Sequence, residues 1–149
     1  MSQHRRNDLS YAEDFYGWSH QQAERLRAGD WTGVDAVNLA EEIETLGRSE
    51  AAALRSSLRL VAIHLLKFRY QPQRASRSWR VTVERERINA ERSLDENPSL
   101  KPRLAELFAQ AYADARRLAA AETRLAIATF PVEPPFSLDE LRHGSTPAP

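Results

Sequence analysis

The sequence LRSSLRLVAIHLLKFRY, from Leu54 to Tyr70, decides the fold because its apolar residues cannot all lie on one face of a helix. At about 100° per residue they form two stripes on opposite sides of the helix. One stripe contains Leu54, Leu58, Val61, Leu65 and Phe68, and the other contains Leu60, Ile63, Leu66 and Tyr70. A helix that is apolar on all sides is a buried helix. We therefore predict an all-α protein with this segment as its central helix.

Two helices are predicted before the central one. Ser10 and Glu13 have the spacing of a capping box, so helix 1 is expected to begin there and to end at Ala28. Thr32 is the expected N-cap of helix 2, which runs from about residue 33 to residue 46. Its apolar residues recur at helical spacing and form one face: Ala36, Leu39, Ala40, Ile43 and Leu46.

Gly47 marks the end of predicted helix 2. With Ser49 as the cap of the central helix, the two helices are expected to form a hairpin. A single helix bent at Gly47 is the alternative, because one glycine in a helix costs only about 1 kcal/mol relative to alanine.

Two more helices and a proline-rich segment follow Tyr70. Pro72 ends the central helix, and Ser76 or Ser78 begins helix 4. Helix 5 is expected from about residue 100 to residue 125. Its predicted buried face is Leu104, Leu107, Phe108, Ala111, Ala115, Leu118 and Leu125.

The C-terminal sequence TFPVEPPF is expected to be extended and to cross the bundle as a strap held by Phe130 and Phe136, followed by a short capped turn at Ser137 and Glu140. The prediction is a single-domain bundle of about five helices with a buried central helix and a proline-rich C-terminal strap. Residues 1–9 are expected to be a flexible N-terminus, residues 10–141 the helical domain, and residues 142–149 a disordered tail.

Composition excludes several classes of site. The 149 residues include no cysteine, which excludes disulfides, thiolate zinc sites and cysteine nucleophiles. Basic and acidic residues number 21 each, so no overall charge attracts nucleic acid or an anionic membrane. No run of about 20 apolar residues and no apolar signal region is present. We expect a cytoplasmic protein with no membrane partner, no metal and no cofactor.

The charges are nevertheless uneven along the chain. From residue 67 to residue 92 eight basic residues accompany three acidic ones, whereas from residue 30 to residue 50 six acidic residues accompany one arginine. In one interpretation the two segments neutralise each other inside the bundle. Alternatively, an outward-facing patch of arginines beside a tryptophan binds phosphates and stacked bases. The predicted binding residues are Arg74, Arg77, Trp79 and Arg80.

A second group of residues carries the polar chemistry that catalysis requires. His64 and Lys67 are adjacent on the central helix, and Glu122 lies on the apolar stripe of helix 5. The structural interpretation gives His64 a backbone hydrogen bond, Lys67 a solvated amine, and Glu122 an ion pair to helix 4. In helix 2, Asn38 and Glu42 share a flank that is either solvated or a ligand set for a divalent cation. The candidate catalytic residues are Glu42, His64, Lys67 and Glu122, with Asn38 beside them.

Several strings occur in an order that resembles the bacterial family known as domain of unknown function 29: YAEDFYGWS, NLAEEIETLGRSE, HLLKFRYQP, SRSW, AAAETRL and TFPVEPPFSLDEL. The resemblance extends from about Tyr11 to Leu141. It implies a small helical protein and supplies no activity. Family positions fall here on Asp14, Trp18, Asn38, Glu41, Glu42, Glu44, His64, Lys67, Gln71, Pro72, Ser78, Trp79, Glu122 and Pro131. Where the family's tail motif has a cysteine, this chain has Pro134, so no tail thiol serves this member.

The sequence favours a non-enzymatic interaction module that binds a protein or nucleic-acid partner through its arginine-rich face. The alternative is a small enzyme, or a metal- or anion-binding protein, that uses Asn38, Glu42, His64, Lys67 and Glu122. The two differ in whether these five residues converge on one pocket. The oligomeric state stays open at this point.

Overall fold

The computed structural model describes residues 8–147 and contains five α-helices. They are α1 (Phe15–Arg27), α2 (Ala36–Tyr70), α3 (Arg77–Glu96), α4 (Leu104–Thr123) and α5 (Leu138–His143). Short 3₁₀ turns lie at Pro72–Arg74, Pro98–Arg103 and Ile127–Thr129, and the described range contains no strand. The all-α class and the number of helices are confirmed. Residues 1–7 and 148–149, which belong to the predicted flexible ends, lie outside the described residues.

The chain divides into two compact units, Met1–Gly47 and Arg48–Pro149. The first contains α1 and the first part of α2, and the second contains the rest of α2 with α3, α4 and α5. Each unit is described by itself below.

The predicted hairpin at Gly47 is wrong, and the alternative of one continuous helix is correct. Helix α2 runs through Gly47 without interruption for 35 residues. Gly47 lacks the positive φ of a helix-ending glycine, which Gly29 has at 70°. A glycine inside a helix costs about 1 kcal/mol, whereas ending the helix there would leave several backbone groups to be paired elsewhere. The fifth helix is α5, which the sequence indicated only as a short capped turn.

Aspartates, rather than the predicted hydroxyl residues, begin the first two helices. Helix α1 starts at Phe15, because the Asp14 carboxylate accepts the Gly17 N–H at 2.9 Å. The Asp35 carboxylate accepts the Asn38 N–H at 3.3 Å at the start of α2. The Thr32 hydroxyl donates to Asp30 instead. Aspartate caps a helix N-terminus at least as well as serine or threonine, and it is the cap at the start of both α1 and α2.

The core of the C-terminal unit surrounds the second part of α2. Leu54, Leu58, Val61 and Leu66 are completely buried, so the predicted buried central helix is confirmed. Residues of three helices pack around it, namely Val83, Ala90 and Leu94 of α3, Leu107, Ala111 and Ala115 of α4, and Leu141 of α5. Leu118, predicted in the buried face of helix 5, is 40% exposed and lines a surface concavity with the charged side chains of Arg59, Asp114 and Arg117.

The proline-rich segment is a packed strap, as predicted. Phe130 is fully buried with Leu66, Tyr112 and Ala119. Phe136 packs on Tyr112 with ring centroids 5.9 Å apart. The Tyr112 hydroxyl donates to the Pro131 carbonyl, so the backbone of the strap is also held.

Helix α5 is fixed by two arginines. Arg87 donates to the carbonyls of Glu140 and Leu141, and Arg142 makes two hydrogen bonds to the Glu91 carboxylate. Residues 142 and 143, assigned from the sequence to the tail, are the last residues of α5.

Candidate functional site

The arginine-rich surface predicted from the sequence lies on the outer side of α3. Val83, Ala90 and Leu94 bury the inner side of this helix. Because residues three, four and seven positions apart share a face, the opposite side carries Val81 and Ile88 within about 20° of each other. Their exposed fractions are 52% and 63%. We call this side the α3 face. Val81 and Ile88 line a shallow surface concavity of about 500 Å³ together with their neighbours Arg77, Arg80, Glu84, Arg85 and Asn89.

Three of the four predicted binding residues are available at the surface. Arg74, in the turn before α3, and Arg77 and Arg80 are exposed. They form no ion pair with any residue between 8 and 147. Ser76 fixes the start of α3 by accepting the Trp79 N–H.

Trp79, the fourth predicted binding residue, is half-buried and packs against the core of its unit. Its ring meets Phe68 edge-on at 5.3 Å and His64 at 6.4 Å, measured between centroids. The Lys67 ammonium lies 4.5 Å from its centroid. The indole is therefore occupied by its own unit, and the α3 face presents aliphatic rather than aromatic surface between its arginines.

His64, Lys67 and Glu122 come together in the C-terminal unit. Lys67 Nζ and Glu122 Oε2 are 3.0 Å apart, and the Lys67 side chain is only 13% exposed. The solvated amine expected for Lys67 is therefore wrong. The ion pair expected for Glu122 exists, but its partner is α2 and not helix 4 (here α3). A buried lysine stem leaves its ammonium in need of a carboxylate and an aromatic face, and both are present.

His64 has the structural environment expected of it. Its Nδ1 lies 2.8 Å from the Leu60 carbonyl oxygen, so Nδ1 carries a proton and donates it to this bond. Burial lowers the pKa of His64, and the nearby charges of Lys67 and Arg85 act in the same direction. The Leu60 hydrogen bond and the Glu122 charge oppose this shift.

Asn38 and Glu42 belong to a separate polar cluster in the N-terminal unit. The Asp35 carboxylate accepts hydrogen bonds from Asn38 Nδ2 at 2.8 Å and from Trp18 Nε1 at 3.1 Å. The Asn38 bond lowers the pKa of Asp35. The Tyr11 hydroxyl donates to Glu42, and this bond raises the pKa of Tyr11.

Sequence reasoning missed the members that complete this cluster. Tyr11 contacts Trp18 edge-on at 4.8 Å, and buried Gln22 accepts the Asp35 N–H. The signal was available in part: a polar glutamine one turn after a tryptophan on the same helix face indicates a buried hydrogen bond.

The five residues of the alternative function therefore divide between the two units. Asn38 and Glu42 have partners within Met1–Gly47, and His64, Lys67 and Glu122 have theirs within Arg48–Pro149. Among residues 8–147 no three histidines, aspartates or glutamates are grouped as a metal site requires.

Residues 10–144 match the family described as Domain of unknown function DUF29. The chain belongs to this family. The resemblance inferred from the sequence strings is thereby confirmed. No curated protein and no solved structure is significantly similar to the chain. No helix in the described part of this DUF29 protein is long and apolar enough to span a membrane.

Proposed function

We propose that this DUF29 protein is a non-enzymatic interaction module whose α3 face binds an acidic, amphipathic protein helix. The observation that carries the proposal is the exposure of Val81 and Ile88 at a spacing of seven residues between Arg77, Arg80 and Arg85. Apolar residues at this spacing match the anchors of a helix laid along the face, and the arginines select acidic flanks.

A protein partner is favoured over nucleic acid by the position of Trp79. Binding to single strands depends on aromatic rings on which bases stack. Trp79 is engaged by Phe68 and Lys67, whereas exposed aliphatic side chains occupy the centre of the α3 face. Aliphatic anchors with a charged rim are typical of a protein interface.

The test uses a synthetic helix with leucines at helical spacing and glutamates on both flanks, and a scrambled peptide of the same composition. Binding of the labelled peptide is followed by fluorescence anisotropy at several salt concentrations. We expect binding of the amphipathic peptide only, weakening with salt because the arginines are exposed. A labelled pool of single-stranded oligonucleotides is measured in parallel.

The matched variants separate the α3 face from overall charge. Changing Arg74, Arg77 and Arg80 to alanine removes three exposed charges, each worth up to about 1 kcal/mol, so affinity should fall about tenfold or more. Changing Lys101, Arg103 and Arg117, which are exposed elsewhere, removes the same charge and should change affinity little. Equal losses in both variants would contradict the proposal, and retention of oligonucleotide alone would replace the protein partner by nucleic acid.

A second candidate function rests on the cluster of His64, Lys67 and Glu122. The Nε2 of a neutral His64 is a hydrogen-bond acceptor, and it lies on the same helix face as the Lys67 ammonium. These groups support a site for a small anion or a proton transfer. A thermal-shift screen against nucleotides and divalent cations tests this candidate, which requires a rise in melting temperature that His64→Leu abolishes.

A further inference from the structure

The first part of α2 carries an apolar stripe that residues 8–147 leave largely exposed. It consists of the residues predicted as the apolar face of helix 2: Ala36, Leu39, Ala40, Ile43 and Leu46. Ile43 and Leu46 are 67% and 68% exposed, and Leu39 is half-buried. We call these five residues the α2 stripe. Exposed aliphatic residues repeated along one face of a helix indicate a surface that another element covers.

The charges around the α2 stripe are acidic. Between residues 36 and 50 there are four glutamates and one arginine. By helical angles Glu42 and Glu44 border the stripe on its two sides, and Glu50 lies in line with it. Two copies of this stripe placed together would set glutamates against glutamates, which disfavours pairing of the stripe with itself.

The α3 face has the opposite charge and the same apolar spacing. Val81 and Ile88 are seven residues apart, as are Leu39 and Leu46, so each pair spans about 10 Å at 1.5 Å per residue. Three arginines and one glutamate, Arg77, Arg80, Arg85 and Glu84, surround the apolar pair on α3, so the charge of the face is positive. Two copies of the α3 face would also repel each other. Of the pairings between these two surfaces, only the α2 stripe against the α3 face brings unlike charges together.

We propose that the α2 stripe of a second copy of the chain occupies the α3 face. This inference rests on the proposed function, because it names the acidic amphipathic helix that the α3 face binds. The contact joins Leu39, Ile43 and Leu46 of one copy to Val81 and Ile88 of the other, with glutamates opposite arginines at the rim. The association is reversible and depends on concentration.

The test is sedimentation velocity of the full chain over roughly two orders of magnitude in concentration. Ile43→Glu places a charge in the α2 stripe, and Val81→Glu places one in the α3 face. Both side chains are more than half exposed, so neither change should disturb folding, which circular dichroism verifies. We expect each variant alone to be monomeric where the parent associates, and Val132→Glu, at a residue 72% exposed in the strap, to associate like the parent.

Mixing the two variants gives the decisive result. An equimolar mixture still contains one intact α2 stripe and one intact α3 face, so it should form a heterodimer that neither variant forms alone. A mixture that stays monomeric, or a parent that stays monomeric throughout, overturns the inference. If the parent is monomeric but the acidic amphipathic peptide binds to the α3 face, the proposed function stands and only the second copy is rejected. If the peptide does not bind either, both fail.

Discussion

The two halves of α2 contain similar proportions of aliphatic residues and have opposite environments. In the second half, Leu54, Leu58, Val61 and Leu66 are completely buried. In the first half, Ile43 and Leu46 are about two-thirds exposed. The difference in sequence is the number of apolar sides: the second half is apolar all round, and the first has one apolar stripe between glutamates. Apolarity on all sides therefore identifies the half that forms the core of its own unit. A single apolar stripe does not decide the matter, because it is buried on α3 and exposed on the first half of α2.

The largest expected effect is the difference in stability lost when a side chain is truncated in each half of α2. Leu58→Ala removes a fully buried side chain and should lower the free energy of unfolding by about 3 kcal/mol, because it leaves a cavity in the core. Ile43→Ala removes a side chain of the same size from the exposed α2 stripe and should change it by less than about 0.5 kcal/mol. Urea unfolding at low protein concentration measures both. Comparable losses in the two variants would show that the α2 stripe is buried in solution.

A smaller effect tests whether the helix is continuous between the halves. A Cβ at Gly47 would meet no atom within 4 Å, so Gly47→Ala should stabilise the protein by about 0.5–1 kcal/mol through helix propensity. Gly29→Ala is the matched change at a glycine with φ of 70°, and it should destabilise by about 1 kcal/mol because alanine is strained there. Thermal unfolding distinguishes the two signs. Destabilisation by Gly47→Ala would instead indicate the hairpin.

The smallest expected effect is the pH dependence of stability that His64, in the buried half of α2, contributes. Burial lowers the pKa of His64 in the folded state, so the unfolded state binds more protons as the pH falls through the ordinary histidine value. The stability contributed by the neutral ring is therefore present above that pH and is lost below it, until the lower folded pKa is reached. His64→Leu should be tolerated and should flatten this dependence. Melting temperatures between pH 7.5 and 5, with His20→Leu as the exposed control, measure it. A raised histidine pKa by NMR together with a large loss of stability would assign His64 a charged partner instead.

Local signals predicted the parts of the fold that local chemistry controls. The capping box of Ser137 and Glu140, the cap at Ser76 and the buried residues from Leu54 onward are all as the sequence indicated. The continuity of α2 could not be decided, because a glycine that costs about 1 kcal/mol is outweighed by packing and pairing terms that a local pattern does not contain.

The sequence predicted which residues belong to the candidate site, but not which of them contact each other. The spacing of three residues placed His64 and Lys67 side by side. The pairing of Lys67 with Glu122 spans 55 residues and depends on how α4 packs against α2. Similarly, the sequence placed Trp79 beside the arginines, whereas its edge contact with Phe68 depends on how α3 packs against α2.

The strap has a consequence for the order in which the chain becomes structured. Phe130 closes the cluster that contains Leu66, and Arg69 donates to the Pro135 carbonyl across 66 positions of sequence. Contacts of such long separation form late, since the entropy of closing the loop is lost before they contribute. During synthesis from the N-terminus, the most apolar segment of the protein is made well before the residues that cover it. The buried half of α2 is thus the part of the nascent chain most exposed to aggregation until the strap residues that cover it have been made.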